Sequence, residues 1–261
     1  LIDTPNKRSS HSTPKPRGGG IVFVMMSTLG SIYLLLKYGY SINNALAIFC
    51  LPIALIGLAD DVYNLNPIYK FFIQLFSSII IFFNTPFLSL INIYSYIFFT
   101  FYLLIVVGTI NFINFMDGID GLVSSSMLIV LITIILTNSH YESSLILIAS
   151  LLAFLMFNWE PSKIFMGDVG STFLGLYYIS LITLENNFQY FVGMLLVCTP
   201  LFADAIITVI RRFLVGQNPF KAHRSHLYQR LVQAGWSHSN VTFTYLCGII
   251  LGSFAFVLYD I

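Results

Sequence analysis

The stretch NFINFMDGIDGL, Asn111 to Leu122, spaces two carboxamides and two carboxylates three residues apart. These side chains belong to Asn111, Asn114, Asp117 and Asp120. On a helix a step of three residues turns the chain by about 300°, so the first three stay within one broad face. Amide and carboxylate oxygens are hard ligands that suit Mg²⁺ or Mn²⁺, and Gly118 and Gly121 permit a tight turn. Ordinary helix capping is the alternative, and two Asn residues inside the preceding apolar run argue against it.

A second polar cluster is GLADDVYNLNPIYK, in which Asp60 and Asp61 are predicted to end one helix and Lys70 to begin the next. Neighbouring residues on a helix do not face the same way, so one ion pair does not account for both acids. Acids at a helix C-terminus also oppose the helix macrodipole, at a cost of about 0.3–1 kcal/mol. The alternatives are solvation at a helix end and a functional role.

A third cluster, NWEPSKIFMGDVGS, places Asp168 between Gly167 and Gly170, with Phe165 just before it. Asp168 precedes an apolar run, so helix N-capping is the alternative to a ligand role. A cap and a ligand role are compatible.

A fourth cluster is cationic. His223 and His226 lie three residues apart beside Lys221, Arg224 and Arg230. Histidine and arginine together favour phosphate recognition. A zinc site is the alternative, but the sequence offers no third ligand for it. The N-terminal HSTPKPRGGG, with Arg17, is predicted to be a flexible basic arm.

The elements that must position these clusters are membrane helices. The 261 residues are 57% hydrophobic and 9% charged, with a mean hydropathy of +0.85, whereas soluble domains carry roughly 25% charged residues. Spans inside lipid must be helices because open strands leave backbone groups unpaired. The fold class is therefore all-α, a polytopic integral membrane protein. We predict about nine crossings, near 21–36, 41–59, 69–84, 95–113, 121–138, 143–159, 169–184, 188–210 and 241–259.

The charges indicate which side carries the chemistry. With a cytoplasmic N-terminus, eleven of the twelve Lys and Arg residues fall on the cytoplasmic side, as the positive-inside rule requires. Most acids fall there too, and Asp204 lies within a crossing about two turns before Arg211 and Arg212. Cys50, Cys198 and Cys247 have no paired spacing, so disulfides and thiolate metal sites are not expected. The predicted active site lies on cytoplasmic loops.

Hard oxygen ligands, phosphate-binding cations and a lipid boundary together favour a phosphoryl-transfer enzyme. The predicted reaction moves a phosphoryl-linked group from a soluble nucleotide donor onto a lipid phosphate. A transporter or flippase for a lipid-linked sugar is the non-enzyme alternative, but a transporter would place its acids near the middle of the bilayer.

Five motifs resemble those of the polyprenyl-phosphate N-acetylhexosamine-1-phosphate transferases, glycosyltransferase family 4, which include the phospho-MurNAc-pentapeptide translocase. They are DxPNxRxxHxxPxPRGGG at 3–20, DD at 60–61, NxxNxxDGxDGL at 111–122, FMGDxGS at 165–171 and HRSHLYQRL at 223–231. In such enzymes a lipid-phosphate oxygen attacks the β-phosphate of a UDP-sugar and UMP leaves.

The resemblance implies roles for individual residues. Mg²⁺, or Mn²⁺, is expected chiefly at Asp168 with help from Asn114. Asp60 and Asp61 would orient or deprotonate the acceptor phosphate, and Lys70 would neutralise phosphate charge. The catalytic set is thus expected to be Asp60, Asp61, Lys70, Asp168, His223 and His226.

The remaining roles concern the donor. Asp120 and Phe165 would hold the uracil. His223, His226 and Arg224 would contact the diphosphate or the sugar. The site would be shaped and supported by Asn111, Asp117 and Asp204.

Two departures, Asn64 after the acid pair and H-R-S-H in place of consecutive histidines, resemble the O-antigen-initiating branch that uses UDP-FucNAc or UDP-QuiNAc. A UDP-GlcNAc-specific transferase is the second expectation. The partners implied are a UDP-N-acetylhexosamine, undecaprenyl phosphate, the bilayer of a bacterial inner membrane and a second copy of the chain in a homodimer, with no nucleic acid. Residues 1–261 are expected to form one membrane transferase domain. Because the family has ten to eleven helices, the chain is expected to lack one helix at each end.

Overall fold

A computed structural model describes residues 1–5, 13–85, 95–137, 142–185, 187–218 and 223–260. Two short strands, β1 (Ile2–Asp3) and β2 (Lys15–Pro16), pair antiparallel with Ile2 opposite Pro16. The rest of the regular structure in these ranges is helical: α1 (Ile21–Tyr38), α2 (Ile42–Phe49), α3 (Leu51–Tyr63), α4 (Pro67–Phe82), α5 (Ser95–Met116), α6 (Leu122–Thr137), α7 (Glu142–Asn158), α8 (Asp168–Leu184), α9 (Phe188–Val197), α10 (Thr199–Leu214), α11 (Leu227–Gln233) and α12 (His238–Asp260).

The predicted all-α membrane fold is confirmed. Each predicted crossing coincides, within the described ranges, with one apolar helix or a pair of consecutive helices. Four segments have the length and hydropathy of a span, namely 21–38, 42–63, 96–116 and 238–259, and the pair α9 and α10 forms a bent fifth. The helices α4, α6, α7 and α8 are apolar but shorter. The protein is therefore a multi-pass membrane protein.

One crossing predicted to be continuous is bent: the 188–210 segment divides at Cys198, where α9 and α10 meet at 76°. The 41–59 segment has a local irregularity at Cys50, between α2 and α3, but 42–63 remains one span. In each case a proline, Pro52 or Pro200, is the second residue of the following helix. A proline lacks the N–H that would continue the helical ladder, so the helix restarts there.

Helix α8 forms the centre of the bundle. Every residue from Val169 to Thr183 is buried, and α8 packs against α5, α3 and α1. The close packing depends on small residues. A Cβ on Gly57 of α3 would lie 2.6 Å from the carbonyl oxygen of Asp168, and one on Gly175 would lie 2.8 Å from the Cα of Ile110 in α5. The buried helix therefore fixes its polar first residue, Asp168, against α3.

The described part of the N-terminal segment is docked onto the loop before α8, so the prediction of a flexible arm is wrong for residues 13–20. Phe165 N–H donates to the Pro16 carbonyl at 2.8 Å, and the N–H groups of Gly19 and Gly20 donate to the carbonyls of Phe165 and Met166 at 2.9 Å each. Residues 6–12 of the same motif lie outside the described residues. Residues 13–20 therefore form one side of the polar end of the bundle.

The contact between α3 and α8 gives a first prediction. Gly57→Ala should lower the free energy of unfolding by about 2 kcal/mol, because overpacking against the α8 backbone outweighs the gain in helix propensity. Thermal unfolding in detergent measures the change. Gly108→Ala is the matched control, since the nearest atom to its new methyl group would be 3.7 Å away on Phe112. Equal melting temperatures for the two variants would contradict the proposed close packing.

Candidate active site

Three of the predicted acids meet two cations at the N-terminus of α8. The carboxylate of Asp168 accepts hydrogen bonds from Arg17 Nη2 and Lys70 Nζ, both at 2.9 Å. Arg17 also contacts Asp61 at 2.8 Å, and Lys70 contacts Asp60 at 2.7 Å. The structure therefore joins the acid pair, the lysine and Asp168, which lie far apart in sequence, into one cluster with Arg17.

Asp61 caps α8 from a neighbouring helix. Its carboxylate accepts the N–H groups of Asp168 at 3.0 Å and Val169 at 3.2 Å, which are among the donors that a helix leaves unpaired at its start. The alternative N-cap role of Asp168 does not apply, because Asp168 is the first residue of α8 and Gly167 is at the N-cap position. A Cβ on Gly167, whose φ is +77°, would collide with the Asp61 carboxylate. The unfavourable place of Asp61 at the end of α3 is thus offset by the positive end of α8.

The predicted common face of the Asn/Asp stretch is wrong in detail, because α5 ends at Met116 and leaves Asp117 in the following turn. Asn111 turns to α4, where its amide exchanges hydrogen bonds with Gln74 at 2.9 and 3.3 Å. Asn114 turns to α8 and accepts from the Ser171 hydroxyl at 2.6 Å. Asn114 therefore reaches the first turn of the helix that carries Asp168.

Asp117 lies close enough to the acid cluster for its charges to change the pKa of the Asp117 carboxyl. Its partial burial raises the pKa of its carboxyl to about 7, and the charges of Asp168 and Asp61 act in the same direction, against the opposing effect of Arg17. No described lysine or arginine forms an ion pair with Asp117. It is the acid of this cluster whose charge is least compensated.

Asp120 anchors a separate network. It accepts from the Ser162 N–H at 3.0 Å and hydroxyl at 2.8 Å, and its other contacts are Lys15 Nζ at 3.5 Å and the His238 ring at 3.4 Å. Burial alone would raise the pKa of Asp120, but the hydrogen bonds from His238 and Ser162 lower it overall. The Lys15 ammonium also lies 5.1 Å from the centroid of the Phe165 ring. The two residues predicted to hold a nucleobase are therefore neighbours, joined by one lysine.

Asp204 organises the histidine loop. Its carboxylate accepts the N–H groups of Leu227 at 2.7 Å and Tyr228 at 3.1 Å, at the start of α11, and the Tyr245 hydroxyl of α12 at 2.6 Å. The His226 Nδ1 lies 3.5 Å away. A single buried acid thereby joins α10, α11 and α12.

The two histidines are close but differ in environment. Their ring centroids are 4.9 Å apart, and His226 is buried beside Phe115, whose ring centroid is 6.0 Å away. His226 caps α11, whereas His223 precedes that helix, so the pair does not lie on one helix. Burial, together with the nearby His226 and Arg212, lowers the pKa of His223 to about 4. Arg224 belongs to the same described loop, and Lys221 lies outside the described residues.

Sequence reasoning missed several members of the site. Lys15 and Arg17 were assigned to a mobile arm, yet their i, i+2 spacing on an extended chain directs both side chains to one face. Ser162 and His238, which hold Asp120, carry no spacing signal because they come from distant segments. Glu160 likewise caps α12, accepting from Ser239 N–H at 2.6 Å.

The cluster around Asp168 fits a divalent cation by its chemistry. When the four acids of the cluster, Asp60, Asp61, Asp117 and Asp168, are ionised, they exceed the cations Arg17 and Lys70 by two charges, and their oxygens are hard donors. Among the described residues, however, no three His, Cys, Asp or Glu side chains are already arranged as metal ligands. Arg17 and Lys70 instead occupy the Asp168 oxygens.

Comparisons with known proteins agree with this site. The family described as Glycosyl transferase family 4 matches residues 43–185, more than half of the chain. That range includes the acid pair, the Asn/Asp turn and Asp168.

Three relatives are similar over most of the chain. A probable undecaprenyl-phosphate N-acetylglucosaminyl 1-phosphate transferase of Bacillus subtilis (strain 168) is 33% identical, over 98% of this chain and 77% of its own length. An undecaprenyl-phosphate alpha-N-acetylglucosaminyl 1-phosphate transferase of Thermotoga maritima is 29% identical, over 89% and 74%. A phospho-N-acetylmuramoyl-pentapeptide-transferase of Fervidobacterium nodosum is 30% identical, over 87% and 76%.

The Asp204 network gives a second prediction. Asp204→Ala should lower the free energy of unfolding by about 3 kcal/mol, because it leaves two backbone N–H groups and a buried tyrosine hydroxyl without an acceptor. Asp204→Asn keeps one carbonyl acceptor and should lower the free energy of unfolding by less than Asp204→Ala does. Thermal unfolding and the rate of tryptic cleavage at Arg230, in α11, compare both variants with the wild type. Wild-type behaviour of the alanine variant would contradict the capping role.

A third prediction concerns pH. The pKa of Asp117 is about 7 in the folded chain against an ordinary 3.8, so between these values the folded state binds more protons than the unfolded state. The contribution of Asp117 to the stability of the ligand-free protein should therefore fall as pH rises from about 4 to about 7, whereas that of His223, whose pKa is lowered to about 4, should rise over much of this range. Asp117→Asn should remove the falling contribution, so its unfolding temperature should rise relative to that of the wild type as pH increases across that range in metal-free buffer. An identical slope in both proteins would refute the raised pKa.

Proposed function

Because the chain belongs to glycosyl transferase family 4, the polyprenyl-phosphate hexosamine-1-phosphate transferases, we propose that it transfers an N-acetylhexosamine 1-phosphate from a UDP-sugar to undecaprenyl phosphate. The observation that carries the proposal is the cluster in which Arg17, Lys70, Asp60 and Asp61 surround Asp168 at the polar end of an apolar bundle. In the proposed step an acceptor phosphate oxygen bonds to the β-phosphorus, the bond from that phosphorus to the bridging oxygen breaks, and UMP leaves.

The cations of the cluster support phosphoryl transfer directly. This chemistry depends mainly on positioning and on neutralising charge over the phosphate oxygens. Lys70 is fixed by Asp60 and Asp168, so its ammonium is oriented before a substrate arrives. Asp60 and Asp61 would orient or deprotonate the acceptor phosphate, with Asp61 already immobilised by α8.

The cluster also supports a divalent cation as cofactor. Asp168 and Asn114 would hold Mg²⁺ or Mn²⁺, with Asp117 supplying further negative charge. The cation would neutralise charge on the donor diphosphate.

The network around Asp120 and Phe165 supports the proposal that the uracil of the donor binds there. Phe165 would stack on the uracil, and Asp120 would accept a hydrogen bond from it. His223, His226 and Arg224 would contact the diphosphate or the sugar. The lowered pKa of His223 keeps its ring neutral near pH 7 in the ligand-free protein. His223 would therefore meet the donor as a neutral hydrogen-bonding group.

The apolar helices support a lipid acceptor. The positive-inside charge distribution favours a bacterial inner membrane with this end of the bundle facing the cytoplasm, where UDP-sugars would be available. The homodimer stays a prediction.

The donor sugar is best proposed as an N-acetylhexosamine. Two relatives are named for N-acetylglucosaminyl transfer, which favours UDP-GlcNAc. The UDP-FucNAc or UDP-QuiNAc donor, expected from the loop around His223, stays a prediction that a donor panel tests.

A fourth prediction tests the activity. Purified protein with undecaprenyl phosphate, Mg²⁺ and each UDP-N-acetyl sugar should release UMP and form a lipid-linked product. Asp168→Asn should reduce UMP release by at least about 10³-fold, on the scale of losing a transition-state electrostatic contact, while the melting temperature stays near that of the wild type.

Glu142→Gln is the matched control, since Glu142 is an exposed acid in the first turn of α7. Retained activity in Asp168→Asn would show that Asp168 does not belong to the active site. If the wild type releases no UMP from any donor, the proposed enzymatic activity is refuted and a lipid-linked sugar transporter is left as the alternative.

A further inference from the structure

Asp60, Asp61 and Asp168, around the N-terminus of α8, already accept hydrogen bonds on both carboxylate oxygens. Asp60 accepts from Leu65 N–H at 2.7 Å and from Lys70 at 2.7 Å. Asp61 accepts from Arg17 and from two α8 N–H groups, and Asp168 accepts from Arg17 on one oxygen and Lys70 on the other. A divalent cation at Asp168 therefore competes with these two cations for the same carboxylate, and repulsion between like charges favours withdrawal of one of them.

The two cations differ in what their withdrawal costs. Without Arg17, Asp61 keeps the two N–H donors and the positive end of α8. Without Lys70, Asp60 keeps only the Leu65 N–H and faces the negative end of its own helix, α3. Arg17 also has the more exposed side chain, 30% against 22%. Arg17 is accordingly the cation that withdraws at lower cost.

The backbone on both sides of Arg17 is anchored by hydrogen bonds. The carbonyl of Pro16 and the N–H groups of Gly19 and Gly20 are hydrogen-bonded to the loop at Phe165 and Met166. The guanidinium consequently moves within one side-chain length of Asp168. A planar guanidinium pairs with two phosphate oxygens at once, which an ammonium does not.

We propose that Arg17 is a placeholder for the divalent cation and a ligand for the donor diphosphate. In the ligand-free chain it neutralises Asp168, and when the cation binds there the guanidinium swings to the diphosphate. Binding of the cation and of the donor are thereby coupled through one side chain. This inference rests on the proposed function, because it takes the diphosphate donor from it.

The test measures two affinities in purified full-length protein, neither of which needs turnover. Mn²⁺ binding is followed by electron paramagnetic resonance of free Mn²⁺, and UDP binding is followed by calorimetry at saturating Mn²⁺. Arg17→Gln should bind Mn²⁺ more tightly, on the order of tenfold, because a competing charge is gone. It should bind UDP more weakly, also on the order of tenfold, because a charged hydrogen-bonding partner is lost.

Two further variants make the result specific. Arg17→Lys should keep Mn²⁺ affinity near that of the wild type and still weaken UDP binding, since it retains the charge without the paired geometry. Lys163→Gln removes an exposed cation of the loop before α8 and should change neither affinity.

Opposite shifts of the two affinities in Arg17→Gln support the proposal. Unchanged or weaker Mn²⁺ binding in that variant, with a wild-type melting temperature, overturns it even when the wild type releases UMP. A wild type that releases no UMP, while Arg17→Gln still shifts Mn²⁺ binding, refutes the proposed reaction and retains the competition at Asp168.

Discussion

The capping of α8 by Asp61 is the interaction on which the polar end of the molecule depends. A buried helix in a membrane protein has no water to satisfy its first N–H groups, so an acceptor must come from another element. Asp61 supplies it, and in doing so fixes α3 against α8 and places Asp168 beside Arg17 and Lys70. The groups proposed to bind phosphate and metal are thus held by a contact that is first of all structural.

The same device recurs at two other helices, which explains why so apolar a chain keeps its acids. Asp204 accepts the first N–H groups of α11, and Glu160 accepts those of α12. Burial alone would raise the pKa of Glu160, but the donors from Ser239 and His238 lower it overall. Three carboxylates therefore connect segments remote in sequence. Asp204 also lies 3.5 Å from His226, and Glu160 accepts from His238, which contacts Asp120, so these two capping acids position residues proposed to bind the donor.

Much of the fold followed from the sequence, because hydropathy and helix-breaking residues act locally. The positions of the apolar helices were predicted correctly, and Lys70 does pair with Asp60, whereas Asp61 pairs with Arg17. The bend at Cys198 was missed, although Pro200 signals it. The direction of Asn111 towards Gln74 could not be predicted, because it depends on which helix packs against α5. The docked arm was missed for the same reason, since its hydrogen bonds go to a loop about 145 residues later.

The sequence by itself determined an all-helical membrane protein, the family to which it belongs and the polar residues that gather at one end of the bundle. Composition and motif spacing carry that information, because lipid permits few backbone structures and phosphate chemistry needs few residue types. Only the tertiary structure decided that Asp61 caps α8, that Asp168 begins that helix without capping it, and that Arg17 occupies Asp168. The first two arise from close packing of α3 on α8 at Gly57, and the third from docking of residues 13–20 onto the loop before α8, contacts that no local pattern encodes.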